Sequence, residues 1–307
     1  MKSTFVLLWL LPWAICGAKL QTSKKSSSSS QFVTTNDEIQ NLSEQLYAND
    51  VNRADSGDIT LNLQHKVSSS QTGSGIDFSS QKLFSYVNEA KILTRPTFVR
   101  LISLLDNYVK NTGTIENVTQ EEIQEQHAFI DELFQTTIMK TLSSFLISKG
   151  YYISAESFKK DLQEMWFGLY TRSKGFLDSS GFEHVFHGEI HKGKIAGFHS
   201  WVNLYLLEKA GQINYLSYSS DGLWTSYPDV FTFQFKWSTH MKSVGSFFMG
   251  SSPEFEIAMY TLCYVTRPNR QCTVKLGGNP LKIQTYRWDN SFYGNGKRYL
   301  ASSYPNI

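Results

Sequence analysis

Four histidines lie close together in one short stretch of the sequence, GFEHVFHGEIHKGKIAGFHSW, which covers residues 181 to 201. They are His184, His187, His191 and His199. Imidazole has a reference pKa of about 6.5, so a histidine can accept or donate a proton near neutral pH. Two histidines that approach the same reacting group could therefore act as a general base and a general acid.

A two-residue turn at Lys192-Gly193 would fold this stretch into a β-hairpin. In that register His184 lies opposite Trp201, and His199 lies opposite Phe186. Cross-strand partners share one face of a sheet, and so do residues two positions apart. The hairpin therefore predicts that His184 and His199 are diagonal neighbours, roughly 5–8 Å apart.

A histidine pair on one face suits a reaction that needs no cofactor, the cleavage of RNA by its own 2′-hydroxyl. A base removes the hydroxyl proton, the oxygen attacks the adjacent phosphorus, and an acid protonates the departing 5′ oxygen. A cation stabilises the charge that develops on the phosphorane oxygens. The product is a 2′,3′-cyclic phosphate, and DNA would be inert because it lacks the nucleophile.

The opposite face of the same hairpin offers a different chemistry. His187, Glu189 and His191 recur at a spacing of two residues, and their side chains are types that bind zinc or manganese. A metal-dependent hydrolase is therefore an alternative hypothesis. A solvated strand face is the simpler interpretation of the spacing of His187, Glu189 and His191. Likewise, the simpler interpretation of the His184 and His199 pair is that a strand tolerates two histidines without a catalytic role.

The first half of the chain carries helix signals. Capping boxes at Thr35 and Thr119, each with a glutamate three residues later, predict helix starts. Pro96 predicts another start, ahead of apolar residues at helical spacing. The helix after Thr119 is predicted to continue to Ile147, and a last helix is predicted from Ser154 to about residue 170.

The second half changes to strand periodicity. The segment VFTFQFKW alternates aromatic with polar residues and predicts a half-buried strand. One helix interrupts the strands at SSPEFEIAMYTL, with a capping box predicted at Ser251 and Glu254. We therefore expect an α+β fold whose second half has two antiparallel sheets. The other predicted strands are Phe182–His191, Lys194–Glu208, Asn214–Ser219, Lys242–Met249, Cys272–Leu276 and Lys282–Trp288.

The N-terminus predicts export. Residues 1–18 contain one lysine, an apolar run and a small-residue end, as a secretory signal peptide does. Residues 19–35 are rich in serine and predict a flexible tether. The remaining residues 36–307 are predicted to form the folded domain, mainly helical over 36–172 and rich in β-strand over 180–307. No later segment is apolar and long enough to predict a membrane span.

An exported chain can use modifications that a cytosolic chain cannot. Cys263 and Cys272 would remain after signal cleavage, and a disulfide between them is the natural expectation, with two buried thiols as the alternative. Sequons at Asn41 and Asn117 predict N-glycosylation. Loss of the signal lowers the formal net charge from +2 to +1, so any nucleic-acid binding depends on a local patch.

Several long motifs resemble the EndoU family, the poly(U)-specific endoribonucleases. They include DSSGFEHVFHGEI, GFHSWVNLYLLEK and MKSVGSFFMGSSPEFEIAMYTL, with YANDVNR and MWFGLYTR upstream. IQTYRW and YGNGKRYLASSYP resemble the C-terminal block of the family. The resemblance covers the chain from about Asn36 to its end. It implies the family's fold, a helical N-terminal part followed by a two-sheet, β-rich catalytic part.

The resemblance also implies roles for single residues. By position, His184 and His199 match the two proton-transfer histidines of the family, and Lys242 matches its cationic stabiliser. Analogy favours His199 as the base and His184 as the acid. The hairpin register selects the same two histidines without reference to the family.

Further positions match parts of the family that contact substrate or metal. Ser246 and Thr285 match hydroxyl positions near the uracil, and Tyr286 could stack on a base or pack within a strand. Gly245 could let the chain approach a phosphate closely. The resemblance implies a manganese requirement, and two acidic positions suspected of involvement match Glu183 and Glu189. In the hairpin register both of these glutamates face away from His184.

Together these features predict a secreted endoribonuclease that cleaves single-stranded RNA at uridines and leaves DNA intact. We expect a monomer. An extracellular RNA-binding protein without turnover and a metal-dependent hydrolase are the alternatives.

Overall fold

The computed structural model describes residues 34–173, 175–222, 226–288 and 299–307. These residues belong to a single compact unit. The predicted signal peptide and most of the predicted serine-rich tether lie outside the described residues. Among the described residues, none of the helices combines the length and the apolar character that a membrane span requires.

Helices dominate the first half, as the sequence predicted. The capping boxes at Thr35 and Thr119 are both formed, and Pro96 occupies the first turn of its helix. The Pro96 helix ends at Ser103, and the helix capped by Ser154 ends at Phe167. The elements are α1 (Asn36–Ala48), α2 (Glu89–Ile92), α3 (Pro96–Ser103), α4 (Gln120–Leu133), α5 (Thr137–Ser148) and α6 (Ala155–Phe167).

The long helix predicted from Thr119 to Ile147 is in fact two helices. The first ends at Leu133, and the hydroxyl of Thr136 then accepts a hydrogen bond from the amide of Met139. A side-chain cap of this kind favours a new helix start, because it satisfies a backbone N–H that has no partner within the helix. Apolar spacing continues across the break and therefore conceals it.

Antiparallel sheets dominate the second half and confirm the predicted α+β fold. Two sheets have three strands each, in the orders β5-β6-β7 and β10-β9-β8, and β3-β4 and β1-β2 form two smaller ones. The strands are β1 (Ile59–Leu61), β2 (Phe84–Val87), β3 (Glu189–His191), β4 (Lys194–Ala196), β5 (Ile213–Ser220), β6 (Asp229–Trp237), β7 (His240–Met249), β8 (Gln271–Leu276), β9 (Asn279–Trp288) and β10 (Tyr299–Asn306).

Two helices lie within the strand-rich half, α7 (Trp201–Lys209) and α8 (Pro253–Thr266). Helix α8 is buried over most of its length, and it contacts α1, α3 and α5 as well as the β8–β10 sheet. A helix that is apolar on all sides belongs in a protein interior. Its cap is Ser252 rather than the predicted Ser251, whose hydroxyl instead donates to the buried carboxylate of Glu256 at 2.8 Å.

Two predicted strands, Phe182–His191 and Lys194–Glu208, are wrong over most of their length. Residues Glu183–His187 form a π-helical turn, closed by a 2.7 Å hydrogen bond from the amide of Gly188 to the carbonyl of Glu183. The segment after β4 becomes α7, capped by the hydroxyl of Ser200. All five residues of the turn are buried, so burial does not alternate there and a period of two carries no information.

Strand β6 was predicted correctly in position but not in burial. Its alternate residues Thr232 and Gln234 are also buried, because loop residues cover the second face of the sheet. The carboxamide oxygen of Gln234 accepts a 2.7 Å hydrogen bond from the amide of Gly73 in that loop. Polar side chains on a strand therefore do not by themselves indicate solvent.

The predicted disulfide is confirmed. Cys263 near the end of α8 is bonded to Cys272 at the start of β8, with their Cα atoms 5.4 Å apart. Asn41 and Asn117, the two sequon positions, are both exposed.

Candidate active site

Backbone hydrogen bonds bring His184 and His199 together, although the two residues are not cross-strand partners. The amide of Phe198 donates to the carbonyl of His184 at 2.9 Å, and the amide of His199 donates to the carbonyl of Val185 at 2.7 Å. The predicted hairpin register holds only over β3 and β4, where His191 pairs with Lys194. Beyond β4 the chain instead packs against the π-helical turn.

Gly197 permits this close packing. Its φ is +60°, and a Cβ atom at this position would lie 1.8 Å from the carbonyl oxygen of His184 and 2.9 Å from Cδ2 of the same residue. No side chain fits at such distances, and only glycine adopts this conformation without strain. The histidine pair therefore depends on the absence of a side chain at residue 197.

The same glycine connects Lys242 to the pair. The ammonium group of Lys242, on β7, donates to the carbonyl oxygen of Gly197 at 2.5 Å. His184, His199 and Lys242 thus surround one peptide segment, as the sequence predicted. The charge of Lys242 is close enough to lower the pKa of both histidines.

An open cavity of about 340 Å³ lies at this point. Its wall brings together residues from the segment after β4, from β6 and β7, and from β10 to the C-terminal residue, and it is rich in hydroxyl groups. A larger groove of about 680 Å³ lies between α1 and α5, but it contains none of the predicted catalytic residues. The residues that line the smaller cavity are Gly197, His199, Thr232, Lys242, Val244, Ser246, Ser302, Tyr304, Pro305, Asn306 and Ile307.

Hydrogen bonds fix the proton positions on the two imidazoles. Nδ1 of His199 lies 2.9 Å from the carbonyl oxygen of Ser246. A carbonyl can only accept, so Nδ1 carries the proton and the lone pair is on Nε2. Nδ1 of His184 lies 2.9 Å from Oε2 of Glu189 and donates to that carboxylate. A carboxylate stabilises an imidazolium, whereas a carbonyl does so much less.

Glu189 is the buried centre of a charged network. Besides His184, its carboxylate accepts hydrogen bonds from Arg172, whose Nε lies 2.9 Å from Oε2, and from the hydroxyl of Ser179. Burial would raise the pKa of Glu189, but Arg172 and His184 hold it below its ordinary value. The prediction that Glu189 faces away from His184 is therefore wrong, because the strand register does not extend to residue 184.

Burial lowers the pKa of all three central groups. It lowers the pKa of His184 to about 4, and Arg172 acts in the same direction against the opposing effect of Glu189. The pKa of His199 lies well below its ordinary value because of burial and the nearby charge of Lys242. Burial also lowers the pKa of Lys242 to about 8. Both imidazoles are therefore neutral at pH 7 before substrate binds.

We expect Glu189→Gln to lower the free energy of unfolding by about 3–5 kcal/mol, because it leaves the buried guanidinium of Arg172 without a counter-charge. The side chain of Glu189 is 0% exposed and that of Arg172 is 14% exposed. Urea unfolding at pH 7 measures the change. Glu38→Gln is the control, since its ion pair with Lys149 lies at the surface and should contribute much less to stability. Equal losses in the two variants would contradict the prediction.

The described residues do not fit the manganese site that the resemblance implied. They contain no group of three or more histidine, cysteine, aspartate or glutamate side chains that could hold a metal ion. Glu189 is already engaged by Arg172 and His184. Glu183 is completely buried, and neither of its carboxyl oxygens has a hydrogen-bond partner among the described residues. Burial raises its pKa well above the ordinary value, which favours the neutral acid.

The alternative metal site of His187, Glu189 and His191 is not formed either. Nδ1 of His187 is hydrogen-bonded to the carbonyl of Gly188, and Nδ1 of His191 is hydrogen-bonded to the hydroxyl of Thr112. The three side chains therefore have separate partners, and no catalytic step is assigned to a metal ion in this part of the chain.

The predicted substrate-contacting residues are only partly brought together. Ser246 lines the cavity and Tyr286 is 45% exposed beside it. Thr285 is buried, and its hydroxyl donates to the carbonyl of Arg267 at 2.8 Å. A Cβ on Gly245 would lie 3.1 Å from the ring of Phe235, so this glycine makes room for the core rather than for a phosphate.

Tyr304 is a site residue that the sequence reasoning missed. Its ring stacks on the imidazole of His199, with centroids 4.8 Å apart and planes 15° apart, and it lies 6.4 Å from the ring of Tyr286. Burial and the neighbouring Tyr286 raise the pKa of Tyr304 to about 12. The residue follows two serines in ASSYP, within the C-terminal block YGNGKRYLASSYP of the sequence analysis.

Comparison with known proteins agrees with this geometry. Residues 38–305 match the model of the family described as Endoribonuclease XendoU. The chain belongs to this family. It is therefore an endoribonuclease of the EndoU type.

Individual XendoU-family relatives are similar over most of their length. Uridylate-specific endoribonuclease D of Xenopus laevis is 67% identical over 307 residues, which cover 100% of both chains. The human uridylate-specific endoribonuclease is 49% identical over 90% of this chain and 67% of its own. The solved structure of XendoU, described as a splicing independent snoRNA processing endoribonuclease, has a TM-score of 0.74. It is 37% identical and covers 89% of this chain and 97% of its own.

Proposed function

We propose that this protein cleaves single-stranded RNA at uridines by transesterification from the 2′-hydroxyl, leaving 2′,3′-cyclic phosphate ends. The observation that supports this most directly is that His184, His199 and Lys242 meet at the segment Gly197–His199, next to a cavity that His199 and Lys242 line, with the two imidazoles in different hydrogen-bonding environments. Such a set supplies a base, an acid and a cation without a cofactor.

His199 is the general base in this proposal. Its Nδ1–H is held by the carbonyl of Ser246, so Nε2 presents a lone pair, and its lowered pKa keeps the ring neutral at pH 7. Nε2 takes the proton of the 2′-hydroxyl as the oxygen attacks the phosphorus. Stacking on Tyr304 holds the ring in place through the reaction.

His184 is the general acid. Its Nδ1–H donates to Glu189, which stabilises the imidazolium form and directs the Nε2–H toward a leaving group. A phosphate in the cavity is a further negative charge, which raises the pKa of His184 from its low value in the free protein. The ring can therefore take up a proton when RNA binds and release it to the departing 5′ oxygen.

Lys242 stabilises the phosphorane. Within the described part of the chain its ammonium group has one hydrogen-bond partner, the carbonyl of Gly197, and the remaining N–H bonds are available to the oxygens that gain charge. The group is half-buried, and a charge in a partly desolvated site interacts more strongly than one in water.

Uridine preference is proposed from the cavity wall and from the relatives, which are named as uridylate-specific endoribonucleases. Hydroxyls of Ser246 and Ser302 can hydrogen-bond the edge of a base, and the rings of Tyr304 and Tyr286 can stack on its face. Thr285 takes no part in this proposal, because its hydroxyl is already used by backbone carbonyls.

One experiment tests the reaction itself. The protein is incubated with an oligoribonucleotide that contains a single uridine, with and without manganese, and the product ends are analysed by mass spectrometry. Cyclic phosphate at the uridine is the expected result. A matched oligonucleotide with 2′-deoxyuridine at that position should remain intact, and cleavage of it at an undiminished rate would overturn the mechanism. Tight binding of both oligonucleotides without cleavage would favour an RNA-binding protein instead.

We also propose that the protein is secreted after cleavage near residue 18, is glycosylated at Asn41 and Asn117, acts as a monomer and leaves DNA intact. Exposure of both asparagines is compatible with glycosylation. Mass spectrometry of the protein from the medium of eukaryotic cells, before and after removal of N-glycans, tests export and modification together. Intracellular retention with an intact N-terminus would contradict the first part.

We expect kcat/KM for a uridine-containing RNA to fall as the pH rises through about 8, because Lys242 then loses its proton in the free protein. The decline in kcat should lie at higher pH, since a bound phosphate favours the charged amine. Lys242→Arg is the comparison, because guanidinium stays protonated throughout this range. If that variant is active, it should lose the part of the alkaline decline that comes from Lys242 and keep the part that comes from deprotonation of His184. An identical decline in both proteins would contradict the assignment.

A further inference from the structure

A group of three lysines and one histidine lies beside the cavity and takes no part in the proposed reaction. It comprises Lys192 and Lys194 at the β3–β4 turn, His240 at the start of β7, and Lys110 on the segment next to β3. We call this group the hairpin rim. Lys192 and Lys194 are exposed, and the other two are half-buried.

Contacts between adjacent elements place the hairpin rim on one surface. The amide of Ile190 in β3 donates to the carbonyl of Lys110 at 2.7 Å, and Nδ1 of His240 lies 3.1 Å from the carbonyl of Gly193 in the turn. Strand β4 also contacts β7 directly. The order across this surface is therefore the Lys110 segment, β3, β4 and β7.

Strands β4 and β7 both lead from the hairpin rim to the proposed catalytic groups. Strand β4 runs from Lys194 toward Gly197, whose carbonyl binds Lys242, a distance of about 10 Å at the usual rise of a strand. Strand β7 runs from His240 to Lys242, two residues further on, and residues two apart point to the same face. An RNA chain that leaves the cavity along these strands meets the hairpin rim.

The positive charge of the hairpin rim is not neutralised within the described residues. Strands β3, β4 and β7 and the turn between β3 and β4 contain one acidic residue, Glu189, which is buried and engaged elsewhere. Lysines in other parts of the fold, such as Lys91 and Lys209, form ion pairs with nearby carboxylates. Those of the hairpin rim form none with the described residues.

Two members of the hairpin rim are also held in position. The ammonium of Lys110 lies 5.0 Å from the centroid of the Trp237 ring, a cation–π contact. The Nδ1–H of His240 donates to a carbonyl, which leaves Nε2 as the free ring nitrogen. Side chains that are ordered beforehand lose less conformational entropy on binding an anion.

We propose that the hairpin rim binds RNA phosphates outside the scissile step, so that the protein uses RNA longer than a dinucleotide more efficiently. This rests on the proposed function, since it assumes that RNA occupies the cavity. Lysine contacts to phosphates release counterions and strengthen binding without regard to sequence. The hairpin rim therefore contributes to affinity and to the preference for length, and base recognition stays in the cavity.

The test compares two double variants that remove the same charge. Lys192→Ser with Lys194→Ser changes the hairpin rim, and Lys160→Ser with Lys275→Ser is the control, on α6 and β8 at exposed positions away from the cavity. For each protein, kcat/KM is measured on a uridine-containing dinucleotide and on a 12-mer. Binding of a 12-mer with 2′-deoxyuridine at its only uridine is measured as a function of salt concentration.

We expect the hairpin rim variant to lower the ratio of the 12-mer value to the dinucleotide value, and the control variant to leave it unchanged. The slope of log Kd against log salt concentration should become less steep by about 1.4, since each phosphate contact of a single strand contributes about 0.7. An unchanged ratio and slope would overturn the proposal. If the unmodified protein cleaves neither RNA, the proposed function fails, and the salt slope still decides whether the hairpin rim binds RNA.

Discussion

We expect His199→Ala to lower kcat for uridine-containing RNA by about 10²- to 10⁴-fold, the range usual for loss of a general base. Two contacts hold the imidazole ring of His199 in place. Its Nδ1–H donates to the carbonyl of Ser246, and its plane stacks on the ring of Tyr304. Among the described histidines, His199 alone lines this cavity. Loss of the ring therefore removes the proton acceptor without a substitute.

The control for this variant is His127→Ala, because His127 is exposed on α4 and remote from the cavity. Rates are measured in a discontinuous assay with a labelled oligoribonucleotide, and thermal unfolding shows whether each variant is folded. A folded His199→Ala protein should still bind a 2′-deoxyuridine oligonucleotide. If it binds and cleaves RNA at the rate of the unmodified protein, His199 is not the base.

The second large effect is expected for Lys242→Met, which should lower kcat by about 10²- to 10³-fold. Methionine keeps most of the apolar stem that packs near Gly245 and removes only the charge. Because phosphorane oxygens carry more negative charge than the ground-state phosphate, the loss should appear mainly in kcat and less in KM. Removal of the Lys242 charge should also raise the pKa of His199, because that charge lowers it in the unmodified protein.

Lys236→Met is the matched control in the same sheet. Lys236 lies on β6 opposite Met241, and Lys242 lies opposite Phe235, so the two lysines point to different faces. Single-turnover rates on the same RNA give the effect of each variant on the chemical step. A loss confined to KM in Lys242→Met would mean that the amine binds the ground state only and does not stabilise the phosphorane.

The sequence predicted the helical first half well, because capping is a local property. The hydroxyls of Thr35 and Thr119 meet backbone amides three residues away, and nothing distant is needed to form these bonds. Strands β8 and β9 were found for a related reason, since buried and more exposed residues alternate along them. The break between α4 and α5 was not predicted, because the apolar spacing continues across it.

The candidate site was predicted in its residue types and only partly in its geometry. His184, His199 and Lys242 lie around the segment Gly197–His199, although the hairpin used to pair the histidines ends at Ala196, and their catalytic roles stay a prediction. Thr285 was chosen as a substrate contact because it lies in a familiar motif, and its hydroxyl proved to be used internally. Tyr304 was passed over, since β10 was not predicted.

The sequence alone determined the chemistry that this protein can perform, because the number and type of its proton carriers and cations are properties of the residues. It also determined the helix caps, the disulfide pair and the α+β order, all of which depend on nearby residues. Only the tertiary structure decided how the catalytic groups are oriented. The proton positions are set by Glu189 for His184 and by Ser246 for His199. These partners are brought into place by a π-helical turn and by contacts between strands that are distant in the chain, and local periodicity does not predict such contacts.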